Sequence, residues 1–242
     1  MDLISSTRPV IFIITIIAFL VLERVISRRQ NQYERKRMAG NIGLGFAGIF
    51  VITVIAPLSL VHAAFLTQDR DFGLLQWLNL APLSLPLGLV LFDLLLYWQH
   101  RFFHKIDFLW QFHRLHHEDQ FLDITSGVRF HPIEYLISYA LKLVFVLALG
   151  IGPWTILICE VWLSSISIFS HSNINIPIFI EEKIKRFVIT PDYHFVHHSN
   201  KSTQMNSNFC NGFAIWDKLF HSYSQSDKAV IQEINLGVNQ DT

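Results

Sequence analysis

Charge is scarce in this chain: Asp, Glu, Lys and Arg make up 16% of its 242 residues, whereas soluble domains carry about 25%. So few charges cannot clothe an ordinary water-facing surface, and the deficit points to a membrane protein. The charges also cancel, to a formal net of zero with histidine neutral. No basic excess exists to hold a polyanion, and nucleic acid is excluded as a partner. Cysteine is nearly absent. Cys159 and Cys210 stand alone, a weak basis for any disulfide framework; Cys159 lies in an apolar run and reads as a small buried hydrophobe. There is no CxxCH for haem attachment and no HExxH, which argues against a zinc protease. No repeat at solenoid period and no low-complexity segment is found.

Apolar side chains are what the chain has in plenty, at 51% of residues. They gather in five runs, Pro9 to Val25, Asn41 to Leu66, Ala81 to Trp98, Ile133 to Leu149 and Trp154 to Phe169. A bilayer crossing takes roughly 20 residues. The first run lacks a small-residue cleavage pattern and runs into Glu23, Arg24 and a basic stretch, so it reads as a retained anchor. The last two are separated only by Gly150-Ile151-Gly152-Pro153, a helix-breaking turn, and predict a tight hairpin. The fold class expected is all-α: a polytopic bundle of about four to five apolar helices carrying a helical, histidine-rich metal cap. Residues 1–80 would supply amino-terminal spans and a basic loop, and residues 81–242 the catalytic part.

Orientation follows from basic residues in short loops. Arg24 to Arg37 holds Arg24, Arg28, Arg29, Arg35, Lys36 and Arg37, while Thr67 to Asn79 holds only Arg70. The first loop is therefore cytoplasmic. Counting spans from there puts every clustered histidine on that same face, in a bacterial inner membrane or the endoplasmic reticulum. Asn41 to Gly48 contains GxGxxG, but a basic loop precedes it and an apolar helix runs through it. No strand leads into it, so small residues for close helix packing are the better reading than a dinucleotide fingerprint. Asn200-Lys201-Ser202 is formally a glycosylation sequon, discounted because it falls on the cytoplasmic side.

Twelve histidines are present, and most are clustered. His100 and His104 are spaced i, i+4 in "HRFFH". His113, His116 and His117 follow i, i+3, i+4, and His194, His197 and His198 repeat that pattern. On helices these spacings bring imidazoles onto one face within reach of a common ion. A single histidine is most often an ordinary surface or core residue; the duplicated pattern is not. Eight imidazoles exceed the four ligands of one tetrahedral zinc, so two metals sharing eight or nine nitrogens fit the count. Imidazole suits iron, zinc and copper alike, and ligand type alone does not select among them.

The residues around the clusters carry a resemblance. "DLLLYWQHRFFH", "WQFHRLHHEDQFLDITSGVRFHPIE", "HSN", "TPDYHFVHHS" and "WDKLF", in this order from Asp93 to about Tyr223, are similar to the fatty acid hydroxylase/sterol desaturase superfamily, whose members are integral-membrane di-iron oxygenases. The resemblance implies two iron ions, with zinc as a substitute, held by His100, His104, His113, His116, His117, His194, His197 and His198, with His171 of "HSN" as a ninth ligand. His131, Asp93, Tyr97, Asp119, Asp123, Asp192 and Asn173 are expected as further ligands or as partners of the ligands' outer N–H groups. Two departures stand out. The family's Asn-aromatic-Gly is Asn208-Phe209-Cys210 here, and its Phe-Gly-Thr-Tyr is Phe220-His221-Ser222-Tyr223. The implied activity is hydroxylation or desaturation of an unactivated C–H bond in a lipid (a sterol, a fatty acyl chain or a relative of these) with O₂ and two external electrons. A ferredoxin, a cytochrome b₅-like protein or a reductase would supply them, docking on Arg101, Lys105, Arg114 and Arg129. The competing expectation is a membrane zinc hydrolase or metal-binding protein using the same histidines.

Overall fold

Each apolar run folds as helix, one of them in two pieces. The computed structural model describes residues 2–238 apart from 30–33, 57, 226, 229–230 and 232. In chain order the helices are α1 (Asp2–Val25), α2 (Arg35–Ile55), α3 (Leu60–Asp69), α4 (Leu74–Trp77), α5 (Ser84–Lys105), α6 (Asp107–His117), α7 (Pro132–Leu149), α8 (Pro153–His171), α9 (Ile178–Ile184), α10 (Pro191–His197), α11 (Ser202–Met205) and α12 (Ile215–Leu219). Among the described residues there is no sheet, only isolated bridges such as Val188 with Phe213. Among the described residues, three stretches are by length and composition apolar enough to cross a membrane: Arg35–Trp77, Pro132–Leu149 and Pro153–His171. The long helices α1 and α5, of 24 and 22 residues, pack against α8.

The run expected from Asn41 to Leu66 bends. Ala56 precedes a proline, whose ring disfavours helical backbone in the residue before it, and it sits at φ −134°, ψ 72°. Residue 57 lies outside the described residues. The chain restarts at Ser59, whose side chain accepts a hydrogen bond from the His62 amide and caps α3. The turn expected between α7 and α8 is present, with Gly150 in the left-handed region at φ 65°. The helices it joins do not zip along each other. α7 packs chiefly on α2 and α3, and α8 on α1, α5, α10 and α3, so α3 sits between them.

Of the GxGxxG glycines, Gly45 and Gly48 are buried packing residues, whereas Gly43 is exposed with no neighbour. A Cβ on Gly48 would lie 2.1 Å from the Tyr135 ring of α7, so only hydrogen lets α2 approach that closely. At the opposite end of the bundle, a Cβ on Gly150 would lie 2.3 Å from the Phe72 carbonyl oxygen. One apolar core, including Ala63, Phe92, Leu96, Val146, Ile156 and Cys159, fills that end of the bundle. A second, with Tyr97, Ile189, Tyr193, Phe209 and Cys210, packs beneath the histidines.

Candidate metal centre

A single extended residue sets the geometry of the first ligand pairs. α5 ends at Lys105, Ile106 takes φ −111°, ψ 112°, and α6 starts at Asp107. The break folds α6 back against the last turns of α5, facing His100 and His104 toward His113 and His117, with the His104 and His117 rings 4.7 Å apart. α10 arrives from the other side. Thr190 caps it by accepting from the Tyr193 amide at 3.2 Å, and Pro191 occupies the first turn, where no amide donor is needed.

The structure brings together all nine expected histidines, in two groups. His100, His104, His113, His117 and His197 form one; His116, His171, His194 and His198 form the other, with the candidate ligand atoms of each group within 4.8 Å of one another. The twin HxxHH patterns are used in opposite senses. On α6 the i, i+4 pair His113/His117 enters the group of five and His116 the group of four; at α10 the pair His194/His198 enters the group of four and His197 the group of five.

Outer hydrogen bonds fix the tautomers. The Nδ1–H of His100 donates to the Phe209 carbonyl at 2.8 Å, that of His197 to Ser207 at 2.7 Å, that of His116 to Arg129 at 3.1 Å and that of His171 to Ser167 at 2.7 Å. A carbonyl oxygen only accepts, so in each neutral ring the proton is on Nδ1 and the Nε2 lone pair faces inward. In the group of five, Nε2 of His100, His104, His113, His117 and His197 is buried without a partner. In the group of four, the Nε2 atoms face one another: His116 to His171 at 3.1 Å, His171 to His194 at 3.0 Å and His194 to His198 at 3.1 Å. His116 and His171 both spend their proton on Nδ1, so two lone pairs confront each other with nothing between to donate. A shared cation resolves this, and the spacing is near that of nitrogens ringing a first-row ion at about 2.0–2.1 Å. The donor set therefore fits a pair of metal ions.

Burial keeps the rings of His116, His117, His194, His197 and His198 neutral. Desolvation, reinforced by neighbouring imidazoles, holds His116, His117, His194 and His198 well below the usual imidazole range. His197 is pushed down to about 3, mainly by burial. Neutral imidazole is the form that binds metal.

The other expected site residues take different roles. His131 caps α7, its Nδ1 accepting from the Ile133 amide at 3.1 Å, half-buried against Phe112. The expected acids are buried but none of them bonds an imidazole. Asp93 accepts from the Phe213 amide at 2.9 Å and from the Trp216 indole at 2.8 Å. Tyr97 shares hydrogen bonds with Ser222 at 2.7 Å and Arg101 at 2.8 Å. Asp119 accepts from Arg37, Asn41 and Ser126 at 2.6–2.9 Å. Asp123 is bound by Arg37 and by the Thr125 amide. Asp192 pairs with Arg28, and Asn173 bridges both backbone groups of Arg29. Three arginines of the basic stretch, Arg28, Arg29 and, in α2, Arg37, are thus structural clamps on the cap. Of the four cations expected at a docking face, Arg101 and Arg129 also bond internally, to Tyr97 and Asn41.

Two positioning carboxylates lie outside the set expected from the sequence. Glu134 accepts from the His113 Nδ1–H at 2.8 Å, and its place in "HPIE", in the first turn after a capping histidine, was the available signal. Asp217 of "WDKLF" is fully buried. It accepts from the Phe209 and Cys210 amides and the Tyr193 and Ser222 hydroxyls at 2.6–2.9 Å, so it holds the loop whose carbonyl receives His100.

A family model described as fatty acid hydroxylase matches residues 85–222. An ornithine lipid hydroxylase of Rhizobium tropici is 28% identical over 83% of this chain and 56% of its own length. Alkylglycerol monooxygenases of Danio rerio and Homo sapiens are 26% and 22% identical over 57% and 59% of this chain, and 30% and 31% of theirs. The chain thus spans about half or less of the length of these relatives. No solved structure matches.

Proposed function

Because the chain belongs to the fatty acid hydroxylase family, we propose that it is a membrane-bound di-iron oxygenase that inserts oxygen into, or removes hydrogen from, a C–H segment of a membrane lipid. The observation that carries this is the pair of buried imidazole groups, five and four, with inward lone pairs. Iron bound there would supply the reduction of O₂ and the oxidation of the C–H bond. The balance for hydroxylation is R–H + O₂ + 2 e⁻ + 2 H⁺ → R–OH + H₂O. For desaturation the same inputs give an alkene and two waters. The two electrons would come from an external donor of the ferredoxin, cytochrome b₅-like or reductase class.

The protein's own contribution is orientation and exclusion of water. Nδ1–H bonds to Phe209, Ser207, Arg129 and Ser167 hold four rings with their lone pairs converging, and Glu134 does so for His113. Arg37 across Asp119 and Asp123, and Arg28 on Asp192, close the cap around them. The Asp119, Asp123 and Asp192 carboxylates serve the site through this scaffold, and His131 through the start of α7. The histidine layer faces the cytoplasm. The lipids named for the relatives, an ornithine lipid and an alkylglycerol, are the first substrates to test.

The test is lipid analysis of cells carrying the intact protein or His194→Ala, with metal content measured on both purified proteins. The expected outcome is a lipid gaining one oxygen or losing two hydrogens only with the intact protein, which holds two irons. A single tightly bound zinc and an unchanged lipid profile would refute the oxygenase.

A further inference from the structure

The chain at 209–220, with 186–189 bonded beside it, lies at an unexpected height. Following the Phe209 carbonyl at His100, the Asn211 side chain bonds the Leu96 carbonyl, and the Phe213 amide reaches Asp93. The segment thus descends α5 by seven residues, about 10 Å at the helical rise. At its lowest point the Trp162 indole of α8 also meets Asp93. Trp162 lies nine residues before His171, about 13 Å along a helix that crosses a hydrocarbon layer about 30 Å thick. α12 then returns to the level of Tyr97, where Phe220 stacks on that ring.

Non-helical backbone at such depth is tolerated only where its polar groups are satisfied by protein. Here the Phe187 and Val188 amides donate to Ile184, the Ile189 amide to Gly212, the Ala214 amide to Phe187 and the Phe213 amide to Asp93. The outward side chains are apolar: Phe187 is 73% exposed, Ile215 54% and Leu219 57%. Exposed Arg186 and Lys218 flank them, close enough for the Lys218 ammonium to bond the Arg186 carbonyl at 3.4 Å. Long cationic side chains beside a greasy patch reach phosphates while their stems stay in the acyl region.

We infer that this lobe is immersed in the histidine-side leaflet, with Phe187, Ile215 and Leu219 against acyl chains and Arg186 and Lys218 on acidic headgroups. The partner is the phospholipid bilayer. The inference rests on α8 crossing the membrane and is independent of any chemistry at the histidines.

The test places a bimane fluorophore at Phe187→Cys, Ile215→Cys or Leu219→Cys, with Ser202→Cys on α11 as the aqueous reference. The two native cysteines are buried. Each protein is reconstituted in vesicles of phosphatidylcholine with phosphatidylglycerol. Fluorescence is quenched either by doxyl-labelled lipid or by aqueous iodide. The three lobe positions should show blue-shifted emission, strong doxyl quenching and loss of iodide quenching; Ser202→Cys should show the reverse. Lobe labels quenched by iodide as readily as the reference would overturn the immersion. Three separate positions keep the result readable if one variant fails to fold.

Discussion

The two imidazole groups are built from the same residue type and nearly the same motif, yet they differ in how much protein stands behind them. The group of five draws on α5, α6 and α10, and His113 has a carboxylate behind it in Glu134. The group of four draws on α6, α8 and α10, and its characterised outer bonds, at His116 and His171, go to backbone carbonyls. A carboxylate raises the basicity of a ligating ring more than a neutral carbonyl does. The larger group thus also contains the carboxylate-backed ring, and on the proposed reading the four-membered group would leave more coordination positions for an exogenous ligand. Same chemistry, unequal backing: the lesson is that a local sequence repeat does not make two equivalent sites.

The sharpest way to break this contrast is to remove one ring from each group. His194→Ala should leave three ligands, abolish lipid oxidation and halve the bound metal. His104→Ala should leave four and retain both metals. Metal-to-protein ratios and product formation distinguish the two, and equal metal loss would erase the difference. Asp217→Asn acts on the group of five through Phe209 and His100. Weakening several buried charge-assisted bonds should cost about 3 kcal/mol of stability, read as a lowered unfolding midpoint. Glu134→Gln keeps an acceptor near His113 without the charge. Metal affinity of one site should fall about 10–100-fold while the other is unchanged, as measured by competition with a chelator.

Acidification provides a graded version. His116, His117, His194, His197 and His198 have folded-state values below that of free imidazole. Below about pH 6.5 the unfolded chain binds protons that the fold refuses. Stability of the metal-free protein is therefore greatest above that pH and declines as pH falls toward the folded value of about 3 for His197. Protons also compete with metal for the same lone pairs. Thermal unfolding of metal-free protein from pH 7.5 to 5 should show this decline, and a flat profile would contradict neutral burial. The smallest effect is expected at His221. It holds φ +54°, a left-handed backbone that glycine adopts without strain. His221→Gly should add about 1 kcal/mol of stability and leave metal content in both groups unchanged.

The nine histidines and the helical bundle were legible because helix period and hydrophobic length are local properties. The division into five and four was not, because it depends on which way α6 and α10 approach each other. Acids near the clusters read as partners of imidazoles, since proximity in sequence resembles proximity in space. Asp119, Asp123 and Asp192 in fact answer Arg37 and Arg28, from the basic stretch between the first two apolar runs. Glu134 gives little local signal because its partner His113 lies 21 positions away. The departure at Phe220-His221-Ser222 becomes intelligible from the backbone: the family's glycine falls where this chain has a positive φ.

Ile106 is the one residue that separates α5 from α6. The angular phase between HRFFH and HRLHH is therefore set by a spacer of length one. Each residue added to a helix rotates the next position by about 100°, so a single insertion at this point would swing His113 and His117 off the bearing of His100 and His104. The ligand field behaves here like a reading frame: point changes in the spacer should be forgiven, whereas a change in its length should scramble every coordinate downstream.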